Sequence, residues 1–497
     1  MKVLLLYPNI HGMNMLPPAI GLFSALLKRN GHLVELFDST TWIIPGEDFD
    51  SDKEKERILT ARPFDDSKLR SEMHASDVFS DFRSKVLSVA PDLIAVSVTE
   101  DIFPVGIRLL RAISDLKIPT ILGGVFATFA PEKCLAFDEV SMVCLGEGET
   151  LLVELCDRME RGVAIENIPG LWVKTPQGLR KNPMGPPVDM DQNPLLDLSL
   201  FEESRLYRPM QGRVWRMLPV ETHRGCPYKC TYCNSPAQQR LYRGTTQSRH
   251  YRKKSFEAIH RELEHFKQVV KAEAFYFWAD TFLSYTDREF DEFCEMYSDI
   301  ALPFWVQSRP ETIREDRLAK LQRLGMFRMA FGVEHGNDAF RKSVLRRNVS
   351  NAVMLEKFEI LYKLDIKFSI NNIIGFPTET RELAMDTVLL ASKIKADSAN
   401  AYSYSPFHGT RLRKMAEDFG YCSRDTIDRS VMKPTLLNMP QFPPAAIEGL
   451  RRCFTLYIRM PQSRWPDIRK AEQLTAEGDT LLQELRDECQ EKYMNYD

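Results

Sequence analysis

The sequence predicts an α/β protein in which a doubly wound parallel sheet is followed by a full or partial (β/α) barrel and then by a helical region. Three observations predict it. Short apolar strand-like runs alternate with amphipathic helical runs over residues 1–165. The alternation lapses over 166–215, rich in Pro, Gly and Asp, and resumes for about six strand–helix units over 216–407. From 408 to 497 the pattern is mostly helical.

Each element has a local reason. "KVLLLY" reads as a buried strand, and "PPAIGLFSALLKRNG" as a helix opened by Pro and closed by Gly31. "HLVELFD" is a second strand. Residues 45–88 are charged and weakly patterned, an insertion that ends in the helix "SDVFSDFRSKVLSVA". "PDLIAVSVT", "TILGG" and "VSMVCLG" are further strands, separated by "FPVGIRLLRAISDL" and a helix near 130–137 and followed by "GETLLVELCDRMERG". This is a Rossmann-like order, whose ligand site lies beyond the strands' carboxyl ends. Residues 166–215 read as a linker with a small hairpin, "GLWVKTPQGLRKNP". The barrel strands are "RMLPVETHRG", "AFYFWAD", "PFWVQSR", "FRMAFGVEHG", "IKFSINNIIGFP" and "SANAYSYSPF", with amphipathic helices between them.

Of the 497 residues, 44% are hydrophobic and 27% charged, and the net charge is −3. That balance gives no support for nucleic-acid binding. No run approaches the roughly 18 apolar residues of a membrane span, and "MKVLLLYPNI" stops too soon for a leader. A cytoplasmic, reducing location is therefore expected. There a tight cysteine cluster points to metal or redox chemistry rather than disulfides.

Three of the ten cysteines fall within "HRGCPYKCTYCNSP": Cys226, Cys230 and Cys233. Structural zinc sites and self-contained iron–sulfur clusters take four protein ligands. Three thiolates on a [4Fe–4S] cube leave one iron open for a substrate or cofactor. The spacing alone also fits a zinc knuckle, or an electron-transfer cluster with a distant fourth Cys. The other seven cysteines are scattered and read as small buried hydrophobes.

The Cys226-x3-Cys230-x2-Cys233 spacing, with Tyr232 before the last Cys, resembles the signature of the radical S-adenosylmethionine (SAM) enzymes. In that family the open iron chelates SAM, and reduction releases a 5′-deoxyadenosyl radical that abstracts hydrogen from unactivated carbon. The resemblance implies an electron donor such as flavodoxin or ferredoxin. Further motifs follow in order at strand ends. "FWADTF" places Asp280 as the acidic contact to the SAM amino group, and "VQSRPE" turns Gln307 and Arg309 towards SAM. "FGVEHGND" supplies Glu334, with His335 where a small residue is usual. "NNIIGFPTET" carries Pro377 in the strand whose backbone lies along the adenine, and "YSPFHGT" resembles the turn after the sixth strand. The plainer alternatives are strand-end ions for Arg309 and Glu334 and a helix cap for Asp280. The aromatics of "AFYFWAD" read mainly as barrel core.

The first unit resembles the cobalamin-binding domain of the cobalamin-dependent radical SAM family, in "LPPAIGLFSALLKRNGH", "PDLIAVSVT", "ILGGVFATFAPE" and "CLGEGETLLVEL". The implied cobalamin contacts are Ser97 and Thr99, then Gly123, Gly124 and Val125, then Gly146, Glu147 and Glu149. The D-x-H-x-x-G signature of histidine-ligated cobalamin is absent; "NIHG" puts only His11 nearby, so base-off cobalamin without a His ligand is expected. No G-x-G-x-x-G turn supports a dinucleotide. The implied activity is methyl transfer from methylcobalamin to an unactivated carbon of a small-molecule substrate. The alternatives are a cobalamin-containing radical enzyme without methyl transfer, of the ester-cyclase kind, and a non-catalytic cobalamin and iron–sulfur sensor. A methylthiotransferase needs a second cysteine cluster, and residues 1–133 contain no Cys.

Overall fold

The computed structural model describes residues 1–47, 50–429 and 433–494. Two residues of the 45–88 insertion, and 430–432 and 495–497 of the C-terminal region, lie outside the described residues. The first sheet holds β1 (Lys2–Tyr7), β2 (Leu33–Asp38), β3 (Leu93–Ser97), β4 (Thr120–Gly123), β5 (Met142–Cys144), β6 (Leu171–Thr175) and β7 (Gly178–Lys181). Its order is β2-β1-β3-β4-β5-β6-β7; β1 to β5 are parallel, and the β6–β7 hairpin adds antiparallel to β5. The hairpin read within the linker therefore extends this sheet. Alternate residues of β1 enter different cores: Leu4 and Leu6 on one face, Val3 and Leu5 on the other. A sheet covered on both faces needs such continuous apolar strands.

The second sheet holds β8 (Tyr207–Met210), β9 (Arg213–Glu221), β12 (Ala274–Trp278), β13 (Phe304–Ser308), β14 (Met326–Glu334), β15 (Lys367–Ile374) and β16 (Ser398–Ser403). The remaining strands, β10 (His223–Arg224) and β11 (Arg252–Lys253), pair as a short ribbon beside it. The order β16-β15-β14-β13-β12-β9-β8 has unpaired ends, so this is a half barrel, with β8 an antiparallel edge. Its outer face buries Phe275, Phe277, Phe331 and Phe368 against the helices. Helices Arg411–Asp418, Pro444–Arg459, Trp465–Ala471 and Ala476–Tyr493 form most of the C-terminal region. Helix Pro444–Arg459 meets the insertion helix Ser51–Arg57: Arg451 reaches Glu54, and Thr455 Oγ1 donates to the Ile58 carbonyl.

Strand carboxyl ends of the two sheets face each other, joined by buried polar contacts. Glu100, after β3, accepts the His408 backbone N–H at 2.8 Å, His408 Nδ1–H at 2.8 Å and the Asp428 N–H at 3.1 Å. His408 in turn accepts Asn234 Nδ2–H at its carbonyl, so this junction reaches the residue after Cys233.

Two outcomes follow from these packing constraints. Gly124 has φ +118° and ψ −178°, and a Cβ there would lie 2.2 Å from the Val98 carbonyl oxygen. Gly124→Ala is expected to cost roughly 3 kcal/mol, read as a lower urea midpoint by circular dichroism. Asp428, 3% exposed, has its carboxyl pushed up to about 6 by burial, with Glu100 and Asp101 adding like charge. The folded state therefore holds a proton between about pH 4 and 6 that the unfolded chain releases, and stability falls as pH rises through that window. Asp428→Asn removes this loss. Its unfolding free energy should exceed wild type at pH 7.5 by up to about 3 kcal/mol, read as a higher thermal midpoint, and the gain should shrink towards pH 4.5.

Candidate functional site between the two sheets

The cysteine loop leaves β9 and returns as helix Ser235–Thr246. Gly225 has φ +83°, and a Cβ there would meet the His250 ring at 2.7 Å, so the tight entry requires glycine. Thr231 pins the middle of the loop: its Oγ1 donates to the Val344 carbonyl at 2.7 Å, and its carbonyl accepts the Leu412 N–H. Arg309 Nη1 donates to Cys230 Sγ at 3.1 Å, and the Ser235 N–H points at Cys233 Sγ at 3.4 Å. Cys226 Sγ lies 3.6 Å from Thr281 Oγ1. Burial raises the Cys226 thiol and pushes Cys233 up to about 12. Bound metal would reverse that preference, because cationic iron favours thiolate. Among the described residues no three ligating side chains converge on a single ion. A [4Fe–4S] cluster would take each thiolate on a separate iron, so convergence on one point is not required.

Beside the loop the predicted SAM residues divide into groups. Asp280 opens onto the main cavity; the protein around it raises its carboxyl, with Glu221 adding like charge. Gln307 Nε2 donates to the Ala279 carbonyl at 3.2 Å. Arg309 instead serves the cluster loop: besides Cys230 it pairs with Glu311 at 2.5 Å and lies 3.8 Å over the Tyr228 ring. Glu334 sits at a bulge in β14 with φ +70° and pairs with buried Arg347 at 2.8 Å. Burial raises the Glu334 carboxyl, and Arg347 opposes that rise. Arg347 Nη1 also lies 3.4 Å from Tyr232 OH. Tyr232 lines a second cavity of about 230 Å³ with Ile373, Tyr402, Phe407 and others. Ser403 Oγ and Tyr404 OH are buried at that cavity without partners.

Pro377 lies within a loop fixed by two residues that motif reading left without a role. Glu379 accepts the N–H groups of Gly375 at 2.5 Å and Phe376 at 2.9 Å, and takes His335 Nε2–H at 2.9 Å. His335 Nδ1 accepts the Asn337 N–H, so the ring proton resides on Nε2. Both side chains are fully buried. His335 therefore replaces a small residue in order to brace this loop. Arg347 was likewise missed, because it lies outside the strand-end motifs and meets Glu334 only in the folded chain.

The main cavity, about 460 Å³, spans both domains. Ser97, Gly123, Gly124, Val125, Gly146, Glu147 and Glu149 line it from the first sheet; Trp278 and Asp280 line it from the barrel. A slot lined by Ile20, Phe23, Leu151 and Leu152 runs between helices Pro18–Arg29 and Glu149–Glu160. Thr99 is outside this lining; its carbonyl accepts the N–H groups of Ile102 and Phe103. His11 is also outside it and faces Asp50 at 3.6 Å. His223 and His250 do line it, each with a buried ring nitrogen lacking a partner. Burial pushes His223 down to about 3 and His250 to about 4, so both are neutral.

Glu147 and Glu149 meet the barrel directly. Arg224 binds Glu149 at 2.7 Å, Glu147 at 3.3 Å and Glu221 at 2.9 Å, while Arg252 binds Glu147 at 2.6 Å. Burial works against the Arg224 charge, and Glu221, Glu149 and Glu147 outweigh it.

The cavity and the loop have counterparts in known proteins. Residues 220–391 match the radical SAM superfamily. An uncharacterized methyltransferase of Pyrococcus horikoshii is 26% identical over 68% of this chain and 72% of its own. The anaerobic magnesium-protoporphyrin IX monomethyl ester cyclase of Rubrivivax gelatinosus is 23% identical over 78% of this chain and 70% of its own. Among solved structures, the radical SAM methyltransferase TsrM from Kitasatospora setae, with cobalamin and a [4Fe–4S] cluster bound, superposes with a TM-score of 0.62. It covers 99% of both chains at 14% identity. The cobalamin-dependent SAM radical enzyme OxsB, with aqua-cobalamin and SAM bound, gives 0.64 over 99% of this chain and 71% of its own, at 15% identity. No helix among the described residues is long and apolar enough to cross a membrane. Residues 220–391 are thus a radical SAM domain, within a chain that has the fold of the cobalamin-dependent radical SAM enzymes.

Proposed function

We propose that this chain is a cobalamin-dependent radical SAM methyltransferase that acts on an unactivated carbon of a small molecule. The observation that carries the reading is the single cavity joining Ser97, Gly123, Gly124 and Gly146 to Trp278 and Asp280. When bound, the cluster with SAM supplies a 5′-deoxyadenosyl radical and cobalamin supplies the methyl group.

The residues present suit these groups. Cys226, Cys230 and Cys233 would hold the cluster, with Arg309 and the Ser235 N–H as donors to its sulfurs. Asp280, Gln307, Glu334, Tyr232 and Pro377 would hold SAM, and the unpartnered hydroxyls of Ser403 and Tyr404 offer its adenosine hydrogen bonds. The glycine-lined strand ends would hold cobalamin, with its nucleotide tail in the apolar slot. Thr99 and His11 take no part. Glu147 and Glu149 act by holding the barrel in place through Arg224. Trp278 and the neutral rings of His223 and His250 wall the cavity against water. The chain works in the cytoplasm, with flavodoxin or ferredoxin as reductant.

The relative from Rubrivivax favours a second reading, in which the same cofactors serve a reaction without methyl transfer. The test is anaerobic reconstitution with methyl-labelled SAM. About four irons per chain, a cobalamin absorption band, 5′-deoxyadenosine and a labelled product are expected. Cys230→Ala should abolish 5′-deoxyadenosine, and Arg309→Gln should lower it about tenfold to a hundredfold with iron retained. An unlabelled product moves the chain to the second reading. Bound cofactors without 5′-deoxyadenosine would leave only a sensor.

A further inference from the structure

The inner face of the half barrel carries two arginines that, among the described residues, form no ion pair. Register fixes which residues share that face. Tyr276 pairs with Trp305 and Trp305 with Arg328, while Gln307 pairs with Ala330, one step nearer the carboxyl ends. Arg208, on the edge strand β8, is paired with Trp215 and reaches the same face. Its guanidinium lies 4.8 Å from the centre of the Tyr276 ring and 5.1 Å from that of Trp305. Trp305 therefore stands between the two arginines, contacting one through its ring and the other through the ladder.

Neither arginine holds an anion. Among the described residues the Arg208 side chain makes no hydrogen bond, and its Nη1 is buried without a partner. Asp52 acts on it electrostatically, but that carboxylate is bonded to Asn14 and Lys55. Among the described residues Arg328, 8% exposed, bonds only to Ser398 Oγ at 3.0 Å; Asp397 acts on it electrostatically but forms no ion pair with it and accepts the Phe368 N–H. Burial lowers the proton affinity of both guanidiniums. Apart from Arg328, the buried arginines among the described residues each bind a carboxylate; Arg205 holds Asp38, Arg347 Glu334 and Arg451 Glu448. An unpaired buried charge is costly, and a protein retains one where a ligand supplies the partner. Arginine with an aromatic platform suits a planar molecule bearing a carboxylate or phosphate, because the guanidinium fork binds two oxygens while the ring stacks. The open edge at β8 leaves Arg208 and Trp305 only half-buried, so such a molecule can reach them.

We propose that the inner barrel face binds the substrate, and that this substrate is a planar molecule with a carboxylate or phosphate held by Arg208 and Arg328 against Trp305. The assignment rests on the functional reading above, since it names the substrate class of that site. It leaves the reacting end of the molecule pointing up the face towards Gln307 and Asp280.

Calorimetric titration of the reconstituted full-length protein tests it, with 2-naphthoate, 2-naphthyl phosphate and neutral 2-naphthamide as probes. At least one anion should bind about tenfold more tightly than the amide, and the stronger of the two identifies the anionic group. Arg208→Gln and Arg328→Gln should each cut that preference to about threefold or less, whereas Arg180→Gln, exposed on β7 of the first sheet, should leave it intact. Arg208→Lys keeps the charge without the fork; should Arg208→Gln fail to fold, a weakened preference in Arg208→Lys makes the same point. Equal binding of anions and amide, no anion binding, or a preference that survives both glutamine variants overturns the proposal. The same preparations are assayed for 5′-deoxyadenosine. Its formation without anion preference removes the substrate site alone, and anion preference without it removes the functional reading alone.

Discussion

Everything about the site depends on Arg224. It lies two residues before the first cluster cysteine and binds carboxylates from both domains: Glu147 and Glu149 from the first, Glu221 from the barrel. A guanidinium taken from water needs its donors filled, and three carboxylates fill them in a fixed fork. The cysteine loop and the carboxyl ends of the first sheet are thereby held at one separation. Arg252 and the Glu100–His408–Asn234 chain repeat the constraint on either side. The cavity between the sheets is the space that these contacts keep open.

The half barrel divides its labour between faces. The outer face is packed with phenylalanine and leucine against helices and supplies cohesion. The inner face carries Arg208, Trp305, Arg328, Gln307, Asn371 and Asn400, which a sealed core would not tolerate. The pleat makes this possible, since neighbours such as Phe275 and Tyr276 point to opposite sides. Tyr276 and Trp278, which read as core in the sequence, belong to the inner face, and Trp278 is 37% exposed to the cavity.

Legibility in the sequence followed locality. The cysteine spacing, the strand-end motifs and the strand–helix alternation are all encoded within short windows. The roles of Arg309 and Arg347 were not: Arg309 acts on Cys230, far along the chain, and Arg347, outside the motifs, meets Glu334 only once the β14 bulge has folded. His335 stood out only as a departure from a small residue, and its bond to Glu379 gives the physical reason. Glu147 and Glu149 are legible in the sequence only as implied cobalamin contacts, while the arginines that bind them come from the next domain.

The sequence by itself determined the order of elements, the three-thiolate loop and the open strand ends, because backbone periodicity and ligand spacing are local properties. Tertiary structure alone decided that the two sheets share one cavity, that Thr99 and His11 lie outside it, and that Arg208 and Arg328 face inward unpaired. Those outcomes depend on strand register and on charges separated by scores of residues, which come together only when the chain is folded.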